Sequence, residues 1–259
     1  MADKNAIEWT DATWNPVTGC TKISPGCAHC YAEAITLRFR RGGPYLPGKT
    51  TIRLHPDRLD DPGKWRSPRL VFVTSMNDLF HEEVGFDFVQ EVFQRMEEYD
   101  RHTYQVLTKR PERMLEYVRS TGNRQWPENV WAGVSVENQH WADRRIPVLA
   151  QVPAGIRFLS VELLLKAVNL RPLLKDIHWV IVGGESGHRA RPMHPDWART
   201  VRDDCQEAGV PFFFKQWGGR TSKKAGRLLD GQTWDEMPAM SVAASSRAPW
   251  EVAHAVAAG

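Results

Sequence analysis

Six short apolar runs rich in β-branched and aromatic residues recur along this chain, at 70–74, 104–107, 130–134, 156–160, 179–182 and 211–214. A continuous apolar run of this length, too short for a helix, reads as a strand buried on both faces. Several of the intervals carry helical spacing instead. Phe86, Val89, Phe93 and Met96 share one face at i, i+3, i+7 and i+10. Pro111 opens a second helix with Met114, Leu115 and Val118 facing inward and Gly122 ending it, and Pro195 opens a third that Gly209 ends. In the third, Trp197, Val201 and Cys205 fall on one stripe, which makes Cys205 a core residue. Strand and helix in alternation predict a parallel sheet covered by helices, as a complete or partial (β/α) barrel or an open doubly wound sheet.

Each run gives way to polar residues. The six deliver Ser75 and Asp78, then Lys109 and Arg110, Ser135 and Glu137, Glu162, Glu185 and Ser186, and Lys215 and Gln216. In a parallel barrel all these carboxyl ends open on one face, where such folds place their chemistry. The turn 183–187 resembles a phosphate loop only superficially, because it lacks the Gly-Lys-Ser/Thr ending.

Ahead of the strands lie three of the four cysteines, Cys20, Cys27 and Cys30, at C-x6-C-x2-C spacing on a Gly/Pro-bent loop. Thiolates so gathered can converge on one soft metal centre and leave a metal position open for a small molecule. A closed zinc site with His29 as fourth ligand is the competing reading, and small buried hydrophobes the plainest one.

At 259 residues the chain can bury one substantial core. The expected organisation is a single barrel-like domain over 1–238 with its cysteine loop at 18–31, a Pro/Gly-rich insertion at 41–69 and a flexible Ala/Ser-rich tail at 239–259. The net charge of +3 permits a nucleic-acid partner without arguing for one. The chain shows neither a charged-then-apolar leader nor a long apolar segment, which predicts a cytoplasmic protein with reduced thiols and no membrane partner. Most of the eleven tryptophans, Trp9, Trp14, Trp131, Trp179 and Trp217 among them, read as wall and core residues.

The segments 14–20, 27–31, 75–81, 107–111, 133–137, 182–187 and 214–218 resemble the phage-associated three-cysteine-motif family, over roughly residues 7–219. The layout is also similar to radical S-adenosylmethionine enzymes, especially the spore photoproduct lyase-like branch, with a cysteine loop ahead of a partial barrel. Its spacing differs from the C-x3-C-x2-C usual in that superfamily, and His29 stands where an aromatic residue is usual. The resemblance implies a partial (β/α) parallel barrel of the radical S-adenosylmethionine type with about six core strands. It implies a 4Fe–4S cluster on Cys20, Cys27 and Cys30, with S-adenosylmethionine on the open iron. By position, Ser75 and Asp78 would approach the methionine amino group, and Lys109, Ser135 and Glu137 would line the carboxylate and ribose.

The reaction implied is reductive cleavage of S-adenosylmethionine to a 5′-deoxyadenosyl radical, driven by an external electron donor. Glu162, Glu185 and Lys109 are the candidate catalytic residues, for substrate positioning or proton transfer, with ion pairs to Lys109, Arg110 or Lys215 as the plainer role of the two glutamates. The same resemblance, with Arg53, Arg58, Arg66 and Arg110, makes nucleic acid the first expected substrate. Two further classes stand beside this one: a non-catalytic iron–sulfur or zinc module that binds nucleic acid or a protein, and a zinc hydrolase with Glu137 or Glu162 as general base.

Overall fold

The computed structural model describes residues 7–30, 32–33, 51–122, 126–221 and 224–239. Seven parallel strands form one sheet: β1 (Ala12–Trp14), β4 (Leu70–Val73), β5 (Thr103–Thr108), β6 (Val130–Ser135), β7 (Arg157–Glu162), β8 (Trp179–Gly183) and β9 (Phe212–Gln216). Between the first two, β2 (Val17–Thr18) and β3 (Arg53–Leu54) pair antiparallel as a small separate ribbon. Helices α1 (Phe86–Glu98), α2 (Pro111–Ser120) and α3 (Gln139–Leu149) fill the three crossovers from β4 to β7, α4 (Pro195–Ala208) fills that from β8 to β9, and a 3-10 turn at Arg171–Leu173 lies between β7 and β8.

The spatial order of the strands is their chain order, without reversal. Crossovers of one hand that always step the same way put every helix on the same side, so the sheet curls into a half-barrel instead of an open doubly wound sheet. Six of the seven strands are those read from the sequence. The seventh, β1, is too short to stand out as an apolar run. It pairs with β4 from Ala12↔Val71 to Trp14↔Val73.

Alternation along the strands divides the core in two. Val71, Val106, Val134, Val161, Val182 and Phe214 face the helices, meeting Val89, Val92, Met114, Ile146, Val201 and Cys205. On the concave face, Leu70, Phe72, Trp131, Phe158, Trp179 and Phe213 cluster with Trp9. The Phe158 ring lies flat across Gly133, where a Cβ would overlap it. Trp179 sits edge-on to Trp9 and Trp131 at 6.2 and 5.9 Å. Its indole nitrogen donates to the Glu236 carbonyl at 2.8 Å, in a segment that bridges to β9 through Phe213↔Asp235. Aromatic rings thus plug the amino-terminal half of the concave side and leave its carboxyl-terminal half to polar residues.

Of the expected insertion, positions 41–50 lie outside the described residues, as do Tyr31 and all of the expected tail except Ala239. Among the described residues, no helix is long and apolar enough to cross a membrane.

Candidate functional site

The period of two that points Trp131, Phe158 and Trp179 into the concave side also points Ser135, Ser160, Glu162 and Gly183 there, one layer higher. Lys109 Nζ donates to Ser135 Oγ at 2.9 Å. Glu162 accepts from Ser160 Oγ at 3.3 Å and pairs with Lys215 Nζ at 2.8 Å. Gly183 leaves room for that pair, since a Cβ there would stand 3.1 Å from Glu162 Oε1 and 3.6 Å from Lys215 Cβ.

Above this polar layer the cysteine loop crosses the strand ends, held by three arginine–carboxylate pairs. The first follows β4 and β5. Asp78 accepts from Thr108 Oγ1 at 2.6 Å, the backbone amides of Phe80 and Lys109 at 3.0 Å, and Arg110 Nη1 at 3.1 Å. Arg110 in turn donates to the Thr21 hydroxyl and carbonyl at 3.0 and 3.3 Å, and its Nη1 lies 4.0 Å from Cys20 Sγ. His81 Nδ1 accepts the Glu83 amide, so its proton sits on Nε2 and is donated to Thr21 Oγ1 at 2.8 Å. Burial and the adjacent Arg110 hold the His81 pKa down and keep it neutral.

The second pair lies inside. Glu137 accepts from Ser24 Oγ at 2.5 Å and from Arg145 Nη1 at 3.0 Å, both partners of the ion pair being almost wholly buried at 0% and 1% side-chain exposure. Gly26 rests on this carboxylate, and a Cβ there would come within 2.5 Å of Oε1. Arg145 also donates to the Ser135 carbonyl at 2.8 Å and stacks 4.0 Å above the Trp141 ring.

The third pair follows β8. Glu185 accepts from Arg191 Nε and N at 2.7 and 2.8 Å and from Arg191 Nη2 at 2.8 Å, while His29 Nδ1 lies 3.1 Å from its Oε1. Arg191 Nη2 also reaches the Pro25 carbonyl at 3.0 Å. Burial raises the Glu185 pKa, but the hydrogen bonds and charge of Arg191, with His29, outweigh it and leave the carboxyl below its ordinary value. The Gly183-Gly184-Glu185 turn therefore builds a support, not a phosphate loop. A Cβ on Gly184 would overlap the Trp217 carbonyl, and one on Gly218 the Glu185 carbonyl, so the loops after β8 and β9 interlock through glycines.

All three loop thiols are half-buried, whereas Cys205 is fully buried in the α4 stripe. Burial, then the Asp78 charge, pushes Cys20 up to about 11. Burial also raises Cys27, but the Lys109 ammonium and hydrogen bonds from Ile23 and Ser24 prevail and hold its thiol below the ordinary value. The charges of Cys20 and Cys27 are close enough to act on each other. Among the described residues, no three His, Cys, Asp or Glu side chains stand close enough together to hold a metal ion. By donor chemistry the set fits a soft centre. It offers three thiols, one already biased toward thiolate, and His29 is engaged by Glu185.

The expected site residues thus separate by position. Lys109, Ser135, Glu162 and Lys215 face the concave side, while Asp78, Glu137 and Glu185 bind arginines that hold the cysteine loop. Ser75 Oγ donates to Asn15 Oδ1 at 3.2 Å beside β1. Of the arginines expected to meet nucleic acid, Arg110 is buried between Asp78 and Glu82, Arg58 turns to the Asn15 carbonyl, and Arg53 and Arg66 are exposed. Sequence reasoning missed Ser24, Arg145 and Arg191. For Arg145 a signal existed, because it occupies the inward stripe of α3 with Ala142, Ile146 and Leu149, where a charge requires a buried partner.

Residues 4–238 match the family described as "Protein of unknown function (DUF5131)", and the chain belongs to that family. No curated protein and no solved structure matches it.

Proposed function

We propose that this member of the family is an iron–sulfur enzyme of the radical S-adenosylmethionine kind, with Cys20, Cys27 and Cys30 holding a 4Fe–4S cluster. The supporting observation is the seating of a three-thiol loop on the carboxyl ends of a parallel half-barrel by Asp78, Glu137 and Glu185. When bound and reduced by an external donor, such a cluster supplies the one electron that splits S-adenosylmethionine into methionine and a 5′-deoxyadenosyl radical, which takes a hydrogen atom from substrate.

The chain's own residues supply the setting. Trp9, Trp131, Phe158 and Trp179 keep water from the floor of the concave side. Lys109 and Ser135 offer an ammonium and a hydroxyl to the carboxylate and ribose of S-adenosylmethionine, with Ser75 toward its amino group. Glu162 and Lys215 present a paired donor and acceptor to the substrate. Asp78, Glu137 and Glu185 act through the loop as positioning residues.

Anaerobic reconstitution followed by a reductive cleavage assay tests the proposal. The expected result is 5′-deoxyadenosine from wild type and none from Cys27→Ala. A full cluster without 5′-deoxyadenosine would favour a non-catalytic iron–sulfur module. That second reading has one observation behind it, since three strand-end carboxylates are occupied in holding the loop.

A further inference from the structure

Two stretches of the chain that carry cations and no acid come together beside the mouth. Residues 186–195 contain Arg189 and Arg191, and residues 215–229 contain Lys215, Arg220, Lys223, Lys224 and Arg227, with no Asp or Glu in either. They follow β8 and β9, and the fold joins them. The Gly187 amide donates to the Gly219 carbonyl at 3.0 Å, the Gly219 amide to the Glu185 carbonyl at 2.7 Å, and Arg220 Nη2 to His188 Nε2 at 3.3 Å.

Lys223 lies outside the described residues, and the other six cations divide into two sets. Arg191, Lys215 and Arg227 turn inward to Glu185, Glu162 and Asp235. Arg189, Arg220 and Lys224 are exposed and have no carboxylate partner among the described residues. The half-buried arginines of α4 behave differently, since Arg199 and Arg202 share Asp230. The unpaired set adjoins the cysteine loop, because Arg191, two residues beyond Arg189, donates to the Pro25 carbonyl at 3.0 Å.

We infer that the loops after β8 and β9 form one phosphate-binding rim at the mouth, and that its ligand is the sugar–phosphate backbone of a nucleic acid. Three long exposed side chains spread over two loops neutralise a repeating polyanion, whereas a single small anion calls for a buried, enclosing set of donors. A lipid surface fits less well. Among the described residues of these loops, Leu228 is the one large apolar side chain exposed, and interfacial binding needs a whole apolar face. The inference shares only the location of the mouth with the enzyme proposal, and it stands if the cluster has another role.

Fluorescence anisotropy of the full chain, prepared anaerobically, with labelled single-stranded and duplex DNA and RNA oligonucleotides between about 50 and about 200 mM salt tests it. Arg189→Ala/Arg220→Ala/Lys224→Ala is expected to bind at least about tenfold more weakly, with the slope of log affinity against log salt shallower by about two. Arg199→Ala/Arg202→Ala should stay within about twofold of wild type. Unchanged affinity in the triple variant, equal loss in the α4 variant, or wild type that binds anionic vesicles but no oligonucleotide would each overturn the inference. Iron and sulfide measured on the same samples show separately whether the cysteine site has failed.

Discussion

His29, set between Cys27 and Cys30, lies 3.1 Å through Nδ1 from Glu185 Oε1, so the cysteine loop is fastened to the turn after β8. Arg191 shares the carboxylate and also holds Pro25. Glu185→Gln keeps the shape and removes the charge. We expect alkylation of Cys27 and Cys30 to quicken several-fold while Cys205 stays unreactive, and stability to fall by about 1–3 kcal/mol. Mass spectrometry of alkylated peptides reads the first effect, and an unchanged rate would mean that the carboxylate does not hold the loop.

The Glu137–Arg145 pair is the most deeply buried of the three. Glu137→Ala strands a buried guanidinium and should cost about 3–5 kcal/mol, whereas Glu137→Ala/Arg145→Met should cost less than the single change. Urea unfolding of the cycle checks this. Losses that simply add would show the two side chains to be independent.

His102 gives a pH signature. Its Nε2 donates to the Pro62 carbonyl at 3.0 Å, its Nδ1 is buried without a partner, and burial lowers its pKa to about 4. The unfolded chain takes up this proton near pH 6.5 and the folded chain only near 4, so stability should fall by about 3 kcal/mol as pH drops through that window and level off below it. In His102→Gln that portion of the slope should vanish from denaturant midpoints measured across the range. An identical slope in the variant would place the titration elsewhere.

Gly133 lies under the Phe158 ring. Gly133→Ala should therefore cost about 1–3 kcal/mol through overpacking, and Phe158→Leu in the same chain should recover part of it. Thermal unfolding of the two variants decides, and a loss that Phe158→Leu deepens would contradict the packing.

Apolar runs and their intervals made the helix-covered parallel sheet legible because strands buried on both faces cannot hide in a sequence, but they left barrel and open sheet undecided, which the unreversed strand order settles. β1, three residues long, has no such signature, and α3 was obscured by Pro147 and by Arg145 on its inward stripe. Residue types at the strand ends do lie along one rim of the parallel sheet, but they did not show the direction of each group. Asp78, Glu137 and Glu185 look alike in sequence to Glu162, yet Asp78 takes its arginine from beyond the next strand while Glu137 and Glu185 take Arg145 and Arg191 from the segments just after them, and only the fold determines which carboxylate meets which cation.

Whether the three loop thiols hold an iron–sulfur cluster is decided by quantifying iron, acid-labile sulfide and zinc in the anaerobically reconstituted protein, with electron paramagnetic resonance after reduction. We expect brown protein with about four irons and four sulfides per chain, lost in Cys27→Ala and retained in Cys205→Ala. Colourless protein carrying one zinc per chain, or iron that survives Cys27→Ala, would refute the cluster.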